Sequence, residues 1–305
     1  MTDSPFFLVG CPRSGTTLLQ VRLDAHPDVA VAPETFYVRD FVGKPKRYER
    51  ADSVAGRERL VKDLVERPEF IAMGVDPEEY SRAVAAAAPG WRAPFAILLE
   101  QFARARGAAR VGEKTPNHLL EMRTLEEWFP DAAFVHVVRD PRAVAASWRD
   151  VPWSNGSLAA DAAVWRKYMI AARERPPKSG RVLTVRFESL VSAPSEELAR
   201  VFAFLDLAPA PESIDVTPAA TAVDVEREPW KKRALAPVST EPADRWRREL
   251  TATDVRAVEA ATWPELEQAG YRPTCSRLAI LPGVVAGAGR RALKAWRGAR
   301  RSRGS

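Results

Sequence analysis

The stretch Phe6 to Thr17, FFLVGCPRSGTT, limits what this chain can fold into more than any other. Phe6-Phe7-Leu8-Val9 is an apolar run long enough for one buried strand. It breaks at Gly10 and Pro12, and the chain then opens into a segment in which Leu19 and Leu23 have helical spacing. Strand, glycine loop and helix in that order aim several backbone N–H groups at one anion. Gly10 and Gly15 keep the spacing of the G-x-x-x-x-G-K-[ST] P-loop, but Thr16 stands where that motif has its lysine. A nucleoside-triphosphate hydrolase places that lysine on the β and γ phosphates. Here the positive charge comes earlier, at Arg13, with Ser14 beside it, and two hydroxyls, Thr16 and Thr17, follow Gly15. The loop suits a phosphate-like group other than a magnesium-bound triphosphate.

The length of 305 residues suits one large α/β domain around a single core, or two at most. Apolar content of 46% beside 28% charged is that of an ordinary soluble globule. The formal net charge of +6 fits a polyanionic cofactor, and equally nucleic acid. Much of the excess lies after Gly289, so the balance says little about a site, and no nucleic-acid partner is expected. Two cysteines, Cys11 and Cys275, and three scattered histidines supply neither a disulfide framework nor a four-ligand metal site, so no metal is expected. Cys11 reads as a small loop residue rather than a nucleophile. No basic region or sufficient apolar core precedes Phe6, and no stretch reaches the roughly 20 apolar residues of a membrane span. The expected location is the cytoplasm.

C-P-R-S-G-T-T after an apolar strand resembles the 5′-phosphosulfate loop of sulfotransferases, enzymes that use 3′-phosphoadenosine 5′-phosphosulfate (PAPS). Leu23-Asp24-Ala25-His26-Pro27 and then Pro33-Glu34-Thr35 resemble the bacterial and protein-tyrosine branch of that family. The resemblance implies that Arg13, Ser14, Gly15, Thr16 and Thr17 hold the 5′-phosphosulfate. It also implies that Glu34 is the base that takes the proton of the acceptor hydroxyl. Val111-Gly112-Glu113-Lys114-Thr115-Pro116 carries the family's E-K-T-P, in which the lysine contacts the bridging oxygen that leaves with the nucleotide. The small-molecule branch has its catalytic histidine where this chain has Pro116, which favours Glu34 as base, with His118 two residues out of register as a backup. Ala132 to Val138 reads as a strand of the buried parallel type, closed by Arg139-Asp140-Pro141-Arg142, with Asp140 a good helix cap and Pro141 a good first helical residue. V-V-R-D-P-R-x-V-x-x-S resembles the family's 3′-phosphate motif and assigns those contacts to Arg139 and Ser147. His136, inside the apolar strand, reads as a packed core residue.

Phe187 opens an F-E-S-L-V element that resembles the family's Y-E-D-L-V, keeping an aromatic face for the adenine but no phenol hydroxyl. Pro237-Val238-Ser239, with Glu241 and Trp246, resembles a segment that closes over the nucleotide in the tyrosine-sulfating branch, so Val238 and Ser239 count as cofactor-binding. The lysine that relatives carry there is Ala236 here; Lys231, Lys232 and Arg233 are nearby, and read as a solvated basic loop or as replacement charge. Further helices are expected over 57–65, 92–106, 119–128, 142–150, 161–172, 194–205 and 246–261, with 208–245 mostly loop. After Pro273 a helix from about Val284 would carry Arg290, Arg291, Lys294 and Arg297 on a basic face, suited to an anionic membrane surface or to a solvated tail.

The reading is an α/β fold, a mostly parallel central sheet flanked by helices with a P-loop-like site, as a sulfotransferase domain over 1–273 and a basic C-terminal tail over 274–305. By the resemblance the chain moves a sulfuryl group from PAPS to a hydroxyl, or an amine, of a small-molecule, lipid, glycan or peptide acceptor, and releases adenosine 3′,5′-bisphosphate (PAP). The rival readings are a P-loop kinase-like phosphotransferase and a non-catalytic nucleotide- or polyanion-binding module. Against the kinase stand Thr16 at the lysine position and Arg139 where a metal-holding aspartate would close the strand.

Overall fold

Five strands form one sheet in the order β2-β3-β1-β4-β5. They are β1 (Phe6–Gly10), β2 (Val29–Ala32), β3 (Arg110–Lys114), β4 (Ala133–Val138) and β5 (Val182–Arg186). Every pair among them is parallel. The computed structural model describes residues 4–42, 45–48, 53–210, 223 and 225–276. The basic tail from residue 277 on, and 211–222 of the expected loop, lie outside the described residues.

Alternation along β1 sorts the core into two faces. Phe6 and Leu8 pack with Val135 and Val137, with Leu19 and Leu23 of the helix Thr16–Asp24, and with Leu198, Val201 and Phe202 of the helix Pro194–Phe204. Phe7 points the other way, into a cluster with Phe95, Phe129 and Phe134 at ring-centroid distances of 6.3, 5.9 and 5.5 Å. β3 was not evident as a strand, because Arg-Val-Gly-Glu-Lys has a single large apolar residue. All its residues are nonetheless buried. Gly112 stands opposite Phe6, and a Cβ there would come within 2.2 Å of the Phe6 ring, so the close approach of β1 and β3 requires glycine.

The expected helix over 119–128 begins as a 3₁₀ turn, Pro116–Glu121, and becomes α-helical only at Met122–Trp128. The turn starts with His118 N–H donating to the Thr115 carbonyl at 2.9 Å.

The described residues divide into two compact units, one up to Val138 together with those of Ala171–Ser239, the other Arg139–Ile170 together with those from Thr240 to Ser276. The first holds the sheet. In the second, Asp140 caps the helix Pro141–Trp148 by accepting the Arg142 N–H at 2.8 Å, with Pro141 in the first turn, as expected. Arg142 is fully committed there. It donates to Asp140 (2.6 and 2.9 Å) and to Glu259 (2.8 Å), and its guanidinium lies 4.1 Å from the centre of the Trp246 ring. The single helix expected over 246–261 is two, Trp246–Glu249 and Ala252–Thr262. Thr251 and Asp254 form a reciprocal capping box, which starts a new helix where apolar periodicity alone read straight through.

Candidate functional site

The loop after β1 is held in a shape that ordinary residues resist. Arg13 has φ 73° and Gly15 φ 102°. At Gly15 a Cβ would also come within 2.3 Å of the Phe187 ring, so the loop packs directly on the aromatic that follows β5. Ser14 is fully buried, and its hydroxyl has no protein partner. An orphaned hydroxyl below a glycine turn, at the start of the helix Thr16–Asp24, is what an anion-binding loop presents. Thr16, buried, and Thr17, half-buried, follow on the first turn. Arg13 Nη1 donates to the Trp230 carbonyl at 3.1 Å. Cys11 is buried and its thiol pKa is pushed up by that burial, which keeps it protonated and unreactive.

Sheet order brings the next group together. β2 and β3 are neighbours with Ala32 opposite Glu113, so the residues that leave their carboxyl ends emerge side by side. Glu34 is two positions past the end of β2, and Lys114 is the last residue of β3. Their side chains form an ion pair through Glu34 Oε1. Lys231, on the 3₁₀ turn Pro229–Leu235, reaches the same oxygen at 2.8 Å and also Glu228 at 2.6 Å. A solvated loop lysine is therefore not what Lys231 is: it is 7% exposed.

One carboxylate shared by two ammonium groups has a clear electrostatic signature. Burial pushes the Glu34 carboxyl up, but Lys114 and Lys231 outweigh it and hold the group at about 2. Burial pushes Lys114 down to about 8, against the pull of Glu34 and with the Lys231 charge adding to the fall. Burial lowers Lys231 too, yet Glu34 and Glu228 together leave it above its ordinary value. Beside Glu34 opens a small cleft, lined in part by Pro33, Phe36, Pro68 and Glu69. Phe36 sits at φ 50°, a conformation costly for an aromatic residue.

Beneath this pair runs a buried polar network. Glu113 Oε1 accepts from the Thr35 hydroxyl at 2.8 Å, the Thr35 N–H at 3.3 Å and the Thr115 hydroxyl at 2.5 Å. Glu113 Oε2 pairs with His118 Nδ1 at 2.9 Å. His118 is enclosed, with the rings of Phe7 and Phe95 against it edge-on. His136 is buried as expected, and burial lowers its pKa to about 4.

Arg139 and Ser147 belong to the second unit. There Arg139 donates to the Pro242 carbonyl and accepts from the Trp165 indole at 2.9 Å, while the Ser147 hydroxyl donates to the Val144 carbonyl at 2.8 Å. Val238 is half-buried and Ser239 exposed on the irregular segment that ends the first unit. Trp246 is committed to the core of the second unit under Arg142. Among the described residues, no group of three or more His, Cys, Asp and Glu side chains is arranged to hold a metal ion.

The profile of the sulfotransferase family matches residues 5–211. Nodulation protein NoeE of Sinorhizobium fredii is 29% identical over 282 residues, covering 83% of this chain and 62% of that protein. Protein-tyrosine sulfotransferase 1 of Danio rerio is 27% identical over 285 residues, covering 89% of this chain and 73% of that one. The chain spans 65% of the length of a Caenorhabditis briggsae relative and 62% of NoeE, just under two thirds of either. Among solved structures, the sulfotransferase domain from the olefin synthase of Synechococcus PCC 7002 superposes with a TM-score of 0.63 at 24% identity, over 89% of this chain and 96% of that domain. The sulfotransferase domain from the curacin biosynthetic pathway superposes with a TM-score of 0.60 at 19% identity, over 88% of this chain and 98% of that domain. The likeness to these two is one of fold.

Proposed function

The chain belongs to the sulfotransferase family, and from that premise we propose that it transfers a sulfuryl group from PAPS to a hydroxyl of an acceptor. The observation that carries the reading is Glu34, held by Lys114 and Lys231 at the carboxyl edge of the sheet, where open α/β sheets bind their ligands. The donor supplies an activated sulfur whose bond to the bridging phosphate oxygen breaks as the bond from the acceptor oxygen forms. Backbone N–H groups of residues 13–17, with Arg13, Ser14, Thr16 and Thr17, hold the 5′-phosphosulfate, and the buried, unpartnered Ser14 hydroxyl supports that assignment. Lys114 stabilises the charge that grows on the bridging oxygen, which departs with PAP. Glu34 takes the acceptor proton. Arg139 and Ser147 are assigned the 3′-phosphate, Phe187 the adenine face, and Val238 and Ser239 the closing segment.

The cleft beside Glu34 supports an acceptor that enters between Phe36 and Glu69. A relative named as a protein-tyrosine sulfotransferase makes a phenolic hydroxyl one class to screen. The test has two steps. Thermal shift should favour PAP over ATP with magnesium, and PAPS incubated with a panel of hydroxylated acceptors should yield a product heavier by one sulfuryl group. Preference for ATP with magnesium, with no sulfated product, would count against the proposal.

A further inference from the structure

Lys231 holds Glu34 but has been given no role in the transfer, and the sequence alone leaves it either in a solvated basic loop or as replacement charge. Its surroundings exclude the solvated loop. It is buried, and its backbone is fixed by its own N–H donating to the Glu228 carbonyl at 2.8 Å. The Trp230 carbonyl inside that turn and the Ala236 carbonyl just after it are tied to the loop and its helix, the first by Arg13 at 3.1 Å and the second by Arg22 at 2.9 Å. The turn is thereby docked on the anion loop, and Lys231 is the residue it directs at Glu34 Oε1.

Lys114 and Lys231 both bond that one oxygen, which keeps the two ammonium nitrogens within roughly 5–6 Å of each other. Like charges held that close in a buried place repel, and a buried cation pair persists where an anion can lie between its members. The carboxylate of Glu34 fills that position in the structure. Glu228 keeps a second hold on Lys231, so the ammonium can leave Glu34 without losing its only counter-charge.

Resting on the sulfotransferase reading, we propose that Lys231 is a second catalytic lysine, which moves from Glu34 to the oxygens of the sulfuryl group when PAPS binds. Lys114 then serves the bridging oxygen and Lys231 the non-bridging ones. The same exchange releases Glu34 to accept a proton. The charge comes from the turn at 229–235, not from Ala236, where the resemblance placed a lysine.

The distinguishing experiment compares equilibrium affinities for PAPS and PAP, which differ only in the sulfuryl group, without any acceptor. Wild type should bind both, PAPS more tightly. Lys231→Met should reduce the preference for PAPS by tenfold or more and leave PAP within about threefold, and Lys231→Arg should restore most of the preference. If Lys231→Met does not fold, Lys231→Gln, which can still hydrogen-bond Glu34 and Glu228 without the charge, carries the same comparison. An unchanged PAPS-to-PAP ratio in the neutral variants overturns the role of Lys231 alone, because wild-type binding would still support the site. Failure of wild type to bind either nucleotide overturns the site and the role together.

Discussion

Thr35 donates its hydroxyl to the buried carboxylate of Glu113 at 2.8 Å, and that bond ties the neighbour of Glu34 to the neighbour of Lys114. Because the Thr115 hydroxyl bonds the same oxygen, the relative position of the proposed base and the proposed leaving-group lysine is set by one carboxylate. Removing it leaves two hydroxyls and the His118 ring without their acceptor. Each stranded buried group costs about 1–3 kcal/mol. Glu113→Ala should therefore lower the free energy of unfolding by roughly 3 kcal/mol or more, read as a fall in the urea midpoint. A change within about 0.5 kcal/mol, the range of ordinary surface substitutions, would show that the network does not hold these segments.

The two buried lysines make nucleotide binding depend on pH in a definite direction. Lys114 is held at about 8, below its ordinary value, by burial and by Lys231, while Glu34 is held at about 2. Lys114 must be charged to meet an anion, so PAP affinity, once both phosphates are fully ionised above about pH 7, should fall as pH rises through about 8. Lys231 lies above its ordinary value and does not titrate in that window. Calorimetric titration between pH 6 and 9.5 checks this. An affinity that keeps rising past pH 9 would remove Lys114 from the site.

Arg139→Ala tests the 3′-phosphate assignment. A charge-assisted contact to phosphate contributes roughly 1.5–3 kcal/mol. PAP should weaken by about that much, while adenosine 5′-monophosphate, which lacks the 3′-phosphate, should scarcely change. Equal weakening of both nucleotides would make Arg139 structural, a role for which its bonds to Pro242 and Trp165 already qualify it.

What could be read in the sequence followed how local each determinant is. The strand–loop–helix of Phe6 to Asp24 and the cap at Asp140 are set by residues a few positions apart, and both are found where expected. β3 escaped because its burial is satisfied from far away. Glu113 is matched by Thr35, and Lys114 by Glu34, some 80 positions earlier in the chain. Lys231 escaped for the same reason. Nothing local separates it from Lys232, yet one is buried on Glu34 and the other exposed. Apolar periodicity likewise ran through the break at Thr251, where two polar side chains restart the helix.

A sulfuryl transfer that uses lysines for charge needs no divalent ion. Thr16 in place of the P-loop lysine and Arg139 after β4 both depart from a magnesium-nucleotide site. Turnover of PAPS should persist within about twofold in excess chelator. Complete loss on chelation, restored by magnesium, would contradict the mechanism outright.

The decisive substitution is Glu34→Gln. Glutamine keeps the size and an acceptor oxygen for Lys114 and Lys231, but it cannot take a proton at neutral pH. A positioned general base contributes about 10²–10⁴-fold in rate, so single-turnover transfer at saturating PAPS should fall by that factor. Nucleotide affinity should hold or tighten, since a negative charge has been taken from beside two cations. The about-2 value for Glu34 sharpens the argument, because a carboxylate gripped by two lysines is a poor base until they are drawn away. His118→Gln is the control, its ring being enclosed with Glu113 among Phe7 and Phe95. If His118→Gln loses the larger factor in a protein that still melts as wild type, while Glu34→Gln stays within a few-fold of wild type, the proton goes to His118 and Glu34 only parks the two lysines.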